Sequence, residues 1–209
     1  MYNVLVYIAL FIGIIPLIFL LYKKKAFDIK QPIAPFIWTT ALATIYEFVG
    51  TLLLKINATY WFQLYSLLEL AALYYFFYKL FTSRYINILR VFAALLVIAY
   101  FISFCFWSTG TNFASRPLNA VSITSFTLIF SFLWFRDLFR EMDIANPWQE
   151  STFYFVSGFS IYYSSTFLLF LLSNFIFNSS MYFNDYWLIN VMATLILRTC
   201  LIVGVWKMK

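Results

Sequence analysis

Apolar residues run along this chain in long stretches that short polar segments separate. There are seven such stretches, each about 20 residues long, which is enough for an α-helix to cross a hydrocarbon core of about 30 Å. They lie near 3–22, 33–54, 60–81, 88–107, 118–136, 150–173 and 186–206. Strands of a membrane barrel would be about 10 residues long and would alternate in polarity. The pattern therefore predicts an all-α, polytopic membrane protein with seven transmembrane helices.

The composition of the chain supports lipid as its solvent. Of 209 residues, 64% are hydrophobic and 11% are charged, whereas soluble domains carry about 25% charged residues. The segments between the apolar stretches are short, and none is rich enough in Gly, Pro or Ser to mark a linker. We therefore expect one domain over residues 1–209.

Basic residues alternate between the two sides of the predicted bundle. Cytoplasmic segments of membrane proteins are rich in Lys and Arg, which favours an outside N-terminus, a cytoplasmic C-terminus and a place in the inner membrane. Eleven basic residues then lie inside: Lys23, Lys24, Lys25, Lys30, Lys79, Arg84, Arg90, Arg136, Arg140, Lys207 and Lys209. Only Lys55 and Arg116 lie outside. The net charge of +6 thus indicates topology and predicts no nucleic-acid partner.

Three ionisable side chains fall inside the predicted spans. At a rise of 1.5 Å per residue, Glu47, Glu69 and Arg198 lie about 10, 14 and 18 Å below the outer boundary, in one layer. Intramembrane charges usually face the interior of a bundle and pair with one another. We expect Arg198 to pair with Glu69, with Glu47 as a competing or bridging partner.

Polar neighbours extend this layer along several helices. Asn190, Thr194 and Arg198 recur at a spacing of four residues, which places them on one face of the last helix. Tyr65 and Ser66 accompany Glu69 in the third helix, and Tyr46 adjoins Glu47 in the second. These residues together predict an intramembrane polar layer that binds a ligand or a proton.

Other polar stripes have a simpler explanation. Asn119, Ser122 and Ser125 in the fifth stretch, and Ser157, Ser160 and Ser164 in the sixth, recur at short helical spacings. Serine in a membrane helix commonly bonds its own backbone or a neighbouring helix. We therefore expect these stripes to be structural.

The absence of certain residue types excludes several functions. The chain has no histidine, so a Ser–His triad is impossible and a zinc site built on several histidines is excluded. A Schiff base with retinal needs a lysine in the middle of the last helix, where the first lysine is Lys207, at the membrane edge. With only five glycines, no Gly-rich phosphate loop occurs. We expect no catalytic residue, no metal and no cofactor.

Four segments carry a resemblance to a known family. They are "TIYEFVG" at 44–50, "YSLLELAALYYFFYKLF" at 65–81, "SGFSIYYSSTFLLFLLSN" at 157–174 and "LILRTCLIVGVW" at 195–206. In these segments the chain resembles an uncharacterised family of small bacterial seven-helix membrane proteins, whose genes often lie near those of sensor histidine kinases. The likeness covers the chain from about residue 40 to its end. It implies an inner-membrane protein in signalling, with a possible histidine kinase partner, and it transfers no site residue.

Three functions remain open from the sequence. The first is a sensor or accessory subunit of a signalling system that binds a small or lipidic ligand within the bundle and acts through a membrane or cytoplasmic partner. The alternative is a proton-coupled transporter or carrier that uses Glu47 and Glu69. A further alternative is a membrane-embedded lipid-modifying enzyme that uses Glu and Tyr as acid and base.

Overall fold

Seven long helices form the architecture of the described part of the chain. The computed structural model describes residues 2–28, 30–56, 59–81, 84–105, 116–141, 146–172 and 183–208, among which no strand occurs. The helices are α1 Tyr2–Tyr22, α2 Ala34–Ile45, α3 Thr59–Leu80, α4 Ile86–Cys105, α5 Arg116–Glu141, α6 Ser151–Leu171 and α7 Phe183–Lys207. A π-helical segment, Tyr46–Leu53, continues α2 without a break. Each predicted apolar stretch is thus helical, and the all-α prediction is confirmed.

Five of the described helices are long and apolar enough to cross a membrane. They are Val4–Tyr22, Ile86–Cys105, Leu118–Arg140, Ser151–Leu171 and Tyr186–Lys207. The α-helical part of α2 has only 12 residues, and α3 carries Gln63, Glu69 and Lys79 among its apolar residues. The chain therefore has the character of a multi-pass membrane protein, while the number of seven spans stays a prediction.

Large apolar side chains cover the outside of the bundle. Phe11, Phe101 and Phe132 are 80%, 65% and 68% exposed, and they belong to three different helices. Exposed phenylalanines on so many faces would promote association in water, whereas hydrocarbon tails solvate them. The outer surface therefore fits a lipid environment.

The helices pack into a closed arrangement with α6 and α7 as its central pair. α6 also packs against α5, while α7 packs against α1, which in turn contacts α2. α4 lies at the edge, mainly against α5. At one end of the bundle, here the lower end, Lys23 Nζ donates hydrogen bonds to the backbone oxygens of Trp206 (2.6 Å) and Met208 (2.7 Å).

The lower half of the bundle is filled by aromatic rings. We call six fully buried phenylalanines from α2, α3, α5 and α6 the aromatic core: Phe36, Phe76, Phe77, Phe126, Phe130 and Phe159. Phe77 lies in its middle, with ring centroids 5.3 Å from Phe76, 5.7 Å from Phe126 and 5.8 Å from Phe130. Edge-to-face and tilted contacts of this kind stabilise aromatic pairs beyond their buried area.

Candidate functional site

A cavity of about 300 Å³ lies in the upper half of the bundle, above the aromatic core. Its walls come from α2 with its π-helical segment and from α3, α5, α6 and α7. All members of the predicted polar layer line it: Tyr46, Glu47, Tyr65, Ser66, Glu69, Asn190, Thr194 and Arg198. The structure therefore brings together residues that span more than 150 positions of the sequence, and we call this space the upper cavity.

Glu69 is held by tyrosine hydroxyl groups. The hydroxyl of Tyr163 in α6 donates to Glu69 Oε1 at 2.8 Å, and the hydroxyl of Tyr65 lies 3.5 Å from the same atom. Hydrogen bonds to a charged acceptor are stronger than those between neutral groups. Glu69 consequently joins α3 to α6 on the cavity wall.

Arg198 donates hydrogen bonds to acceptors on the first two helices. Its guanidinium donates to the backbone oxygen of Ala9 in α1 and to Thr44 Oγ1 in α2, the latter at 3.0 Å, and the residue is only 8% exposed. Gly13 makes this approach possible, because a Cβ at that position would lie 2.7 Å from Arg198 Cζ. Arg198 therefore ties α7 to α1 and α2.

The expected ion pair between Glu69 and Arg198 is not formed, although both residues lie in the described part of the chain. Each residue has the separate partners given above, on different neighbouring helices. Depth along a helix predicted that the three groups share a layer, but it carries no information about the direction in which each side chain points.

Glu47 differs from the other two charged residues because it is exposed. It lies in the first turn of the π-helical segment, lines the upper cavity and forms no hydrogen bond or ion pair with another described residue. Beside it, the rings of Tyr46 and Trp61 stack with centroids 4.4 Å apart and planes 15° apart. Segments of π-helix are frequent at functional sites. The cavity thus presents an accessible carboxylate next to an aromatic surface.

Asn190 adds an unpaired polar atom to the cavity wall. Its Oδ1 is buried and has no hydrogen-bond partner among the described residues. A buried polar atom without a partner carries a desolvation cost of about 1–3 kcal/mol. Retention of such an atom at the cavity wall is more typical of a binding site than of optimised packing.

Serines of the polar stripes in α5 and α6 form hydrogen bonds within their own helices. Ser122 Oγ donates to the backbone oxygen of Leu118 at 2.8 Å, and Ser160 Oγ donates to that of Val156 at 2.9 Å. Such bonds satisfy the hydroxyl within its own helix. These serines therefore leave no free polar group for chemistry.

Sequence reasoning missed several residues of the site. Tyr163, Thr44 and Gly13 supply the hydrogen bonds and the space that Glu69 and Arg198 use. One signal was available, because an intramembrane carboxylate needs hydroxyl or amide donors, and the Tyr162–Tyr163 pair in α6 offers two hydroxyl groups. Thr44 and Gly13 gave no comparable signal.

The described part of the site holds no metal-binding cluster, and the chain matches no known protein family. Among the described residues, no three acidic or cysteine side chains lie together as a metal ion would require. No family model matches the chain, and neither a curated protein nor a solved structure is significantly similar to it. The resemblance to small bacterial seven-helix proteins therefore stays a prediction.

Proposed function

We propose that this chain is a multi-pass protein of the bacterial inner membrane that binds a small or lipidic ligand in the upper cavity and serves as a sensor or accessory subunit of a signalling system. The observation that carries the proposal is the upper cavity itself. Polar side chains from several helices converge on an open space of about 300 Å³, a volume at the lower end of the range for small-molecule sites.

The position of the cavity suggests how binding would be transmitted. Its walls belong to five helices, and four of them, α2, α3, α5 and α6, continue into the aromatic core. A ligand that contacts several of these helices at once binds best in one relative arrangement of them, and so shifts the population towards that arrangement. In the proposed topology the lower end is cytoplasmic, so a partner such as a histidine kinase would read this shift there.

A cavity-filling variant tests the proposal directly. We expect Ala120→Phe, which places a ring in the upper cavity, to remove a small molecule that copurifies with the wild-type protein and is detected by native mass spectrometry. Ala94→Phe, on the exposed face of α4, is the matched control and should keep it. An identical set of bound molecules in all three proteins would contradict ligand binding in the cavity.

A carrier is the second candidate, because the accessible Glu47 lies in the π-helical segment that continues α2. Segments of π-helix are frequent at functional sites. In a proton-coupled carrier, Glu47→Gln should abolish pH-dependent uptake into reconstituted vesicles. In a sensor, the same substitution should change the autophosphorylation of a partner kinase, while the vesicles move no solute.

A further inference from the structure

We propose that the ligand of the upper cavity is an organic cation, whose ammonium group binds Glu47 and whose apolar body lies against the stacked rings of Tyr46 and Trp61. This inference rests on the proposed ligand-binding function and names the chemical class of the ligand. It follows from two observations. Glu69 and Arg198 have hydrogen-bond partners whereas Glu47 has none among the described residues, and an aromatic surface lies beside Glu47.

The charges of the cavity favour a cation. Two carboxylates and one guanidinium line it, so the wall carries a formal excess of one negative charge. Arg198 is nearly buried and its guanidinium already donates to Ala9 and Thr44. An anionic ligand would have to reach the remaining N–H donors of a side chain that is only 8% exposed, whereas a cation meets a carboxylate that is already accessible.

The two carboxylates differ in exposure, and Glu47 is the more exposed of the two. Glu69 accepts the hydroxyl of Tyr163 at 2.8 Å, and the hydroxyl of Tyr65 lies near the same oxygen. Glu47 is exposed and has no hydrogen-bond partner among the described residues. An ammonium group therefore pairs with Glu47 without breaking an existing bond of the protein.

The aromatic wall recognises the rest of the ligand. Tyr46 and Trp61 stack at 4.4 Å and both line the cavity, and Trp187 lines it from α7. Aromatic faces attract cations, Trp most strongly, and also bury apolar groups. A carboxylate next to such faces is a recurring arrangement for amines, and the cavity volume limits the ligand to a small one.

The test compares three probes of nearly equal size on the purified protein in lipid nanodiscs. Phenethylammonium carries the positive charge, 2-phenylethanol is its neutral analogue and 3-phenylpropionate carries a negative charge. Fluorescence of the tryptophans in the cavity wall reports binding, and thermal unfolding provides a second readout. We expect saturable binding of phenethylammonium. The dissociation constants of the other two probes should be larger by a factor of at least about ten.

Variants connect this binding to the proposed site. We expect Glu47→Gln to weaken phenethylammonium binding by about ten- to a hundredfold, and Trp61→Leu to weaken it to a smaller extent. Glu150→Gln, which changes an exposed carboxylate at the beginning of α6, should leave it unchanged.

The outcomes separate this inference from the proposed function. Equal binding of the alcohol or the carboxylate probe, or unchanged amine binding in Glu47→Gln, would overturn the cation assignment. If in that case Ala120→Phe still removes a copurified molecule, the cavity binds a ligand of another class. If Ala120→Phe removes nothing and no probe binds, both proposals fail.

Discussion

The upper cavity and the aromatic core are built from largely the same helices, yet the core is filled by buried side chains and the cavity is open. In the lower half, α3, α5 and α6 fill the interior with phenylalanine rings that are no more than 1% exposed. In the upper half, the same three helices turn Glu69, Thr124 and Tyr163 towards an open space. The same helices could fill the upper half with large apolar side chains, as they do in the lower half. The cavity is therefore open because polar and smaller side chains occupy these positions.

The boundary between the two regions is held by specific bonds. Glu69 joins α3 to α6 through Tyr163, and Arg198 joins α7 to α1 and α2 through Ala9 and Thr44. Both residues therefore act as fixed parts of the wall. Glu47 alone among the three charged residues lies exposed in the described structure. We therefore expect the loss of stability to decrease from substitutions in the aromatic core, through those of the bonded wall residues, to that of Glu47.

The largest effect should come from the aromatic core. Phe77→Ala removes a fully buried ring that contacts Phe76, Phe126 and Phe130, and we expect it to lower the free energy of unfolding by about 3–5 kcal/mol. Unfolding by SDS titration in mixed micelles, followed by circular dichroism, measures this loss. Phe101→Ala, on the exposed face of α4, should cost little. Equal losses in the two variants would mean that the lower half is not a tightly packed core.

The second effect concerns Arg198. Arg198→Leu removes the hydrogen bonds to Ala9 and Thr44, and we expect a loss of about 2–3 kcal/mol in the same assay. Since Glu69 has other partners, the losses in Glu69→Leu and Arg198→Leu should add in the double variant to within about 0.5 kcal/mol. Recovery of stability in the double variant would instead reveal an ion pair between the two residues.

A smaller effect is expected from the bond between α6 and α3. Tyr163→Phe deletes the hydroxyl that donates to Glu69 at 2.8 Å, which should cost about 1.5 kcal/mol because the acceptor is a half-buried carboxylate. Tyr154→Phe deletes a hydroxyl that bonds the backbone oxygen of Trp148 at an exposed position and serves as control. The bond has no role in stability if the two variants unfold alike.

The smallest effect on stability should come from Glu47. Glu47→Gln changes an exposed side chain without a hydrogen-bond partner among the described residues, so we expect a change within about 0.5 kcal/mol. Glu69→Gln should cost more, since the bond to Tyr163 then has a neutral acceptor. The unfolding curves of both variants measure the difference. If Glu47→Gln proved the more destabilising of the two, Glu47 would be a structural residue and the cavity would lose its accessible carboxylate.

Much of the fold follows from the sequence alone. Runs of about 20 apolar residues set the helices, because a backbone in lipid must satisfy its own hydrogen bonds. α1, for example, begins at Tyr2 and ends at Tyr22, close to the predicted 3–22, and the backbone leaves the helix at Lys24, where φ is 57°. The depth of Glu47, Glu69 and Arg198 also follows from counting residues along a helix. All three line one cavity in the structure.

Only the tertiary structure decided which groups meet. The rotation of each helix about its axis, and the close approach that Gly13 permits, place the Arg198 guanidinium against α1 and α2. Arg198 therefore does not pair with Glu69. Glu47 lies in the first turn of the π-helical segment at Tyr46–Leu53, and periodicity cannot reveal such a segment. The physical reason is that local hydrophobicity fixes where a helix runs, whereas partners and open space depend on contacts between residues far apart in the chain.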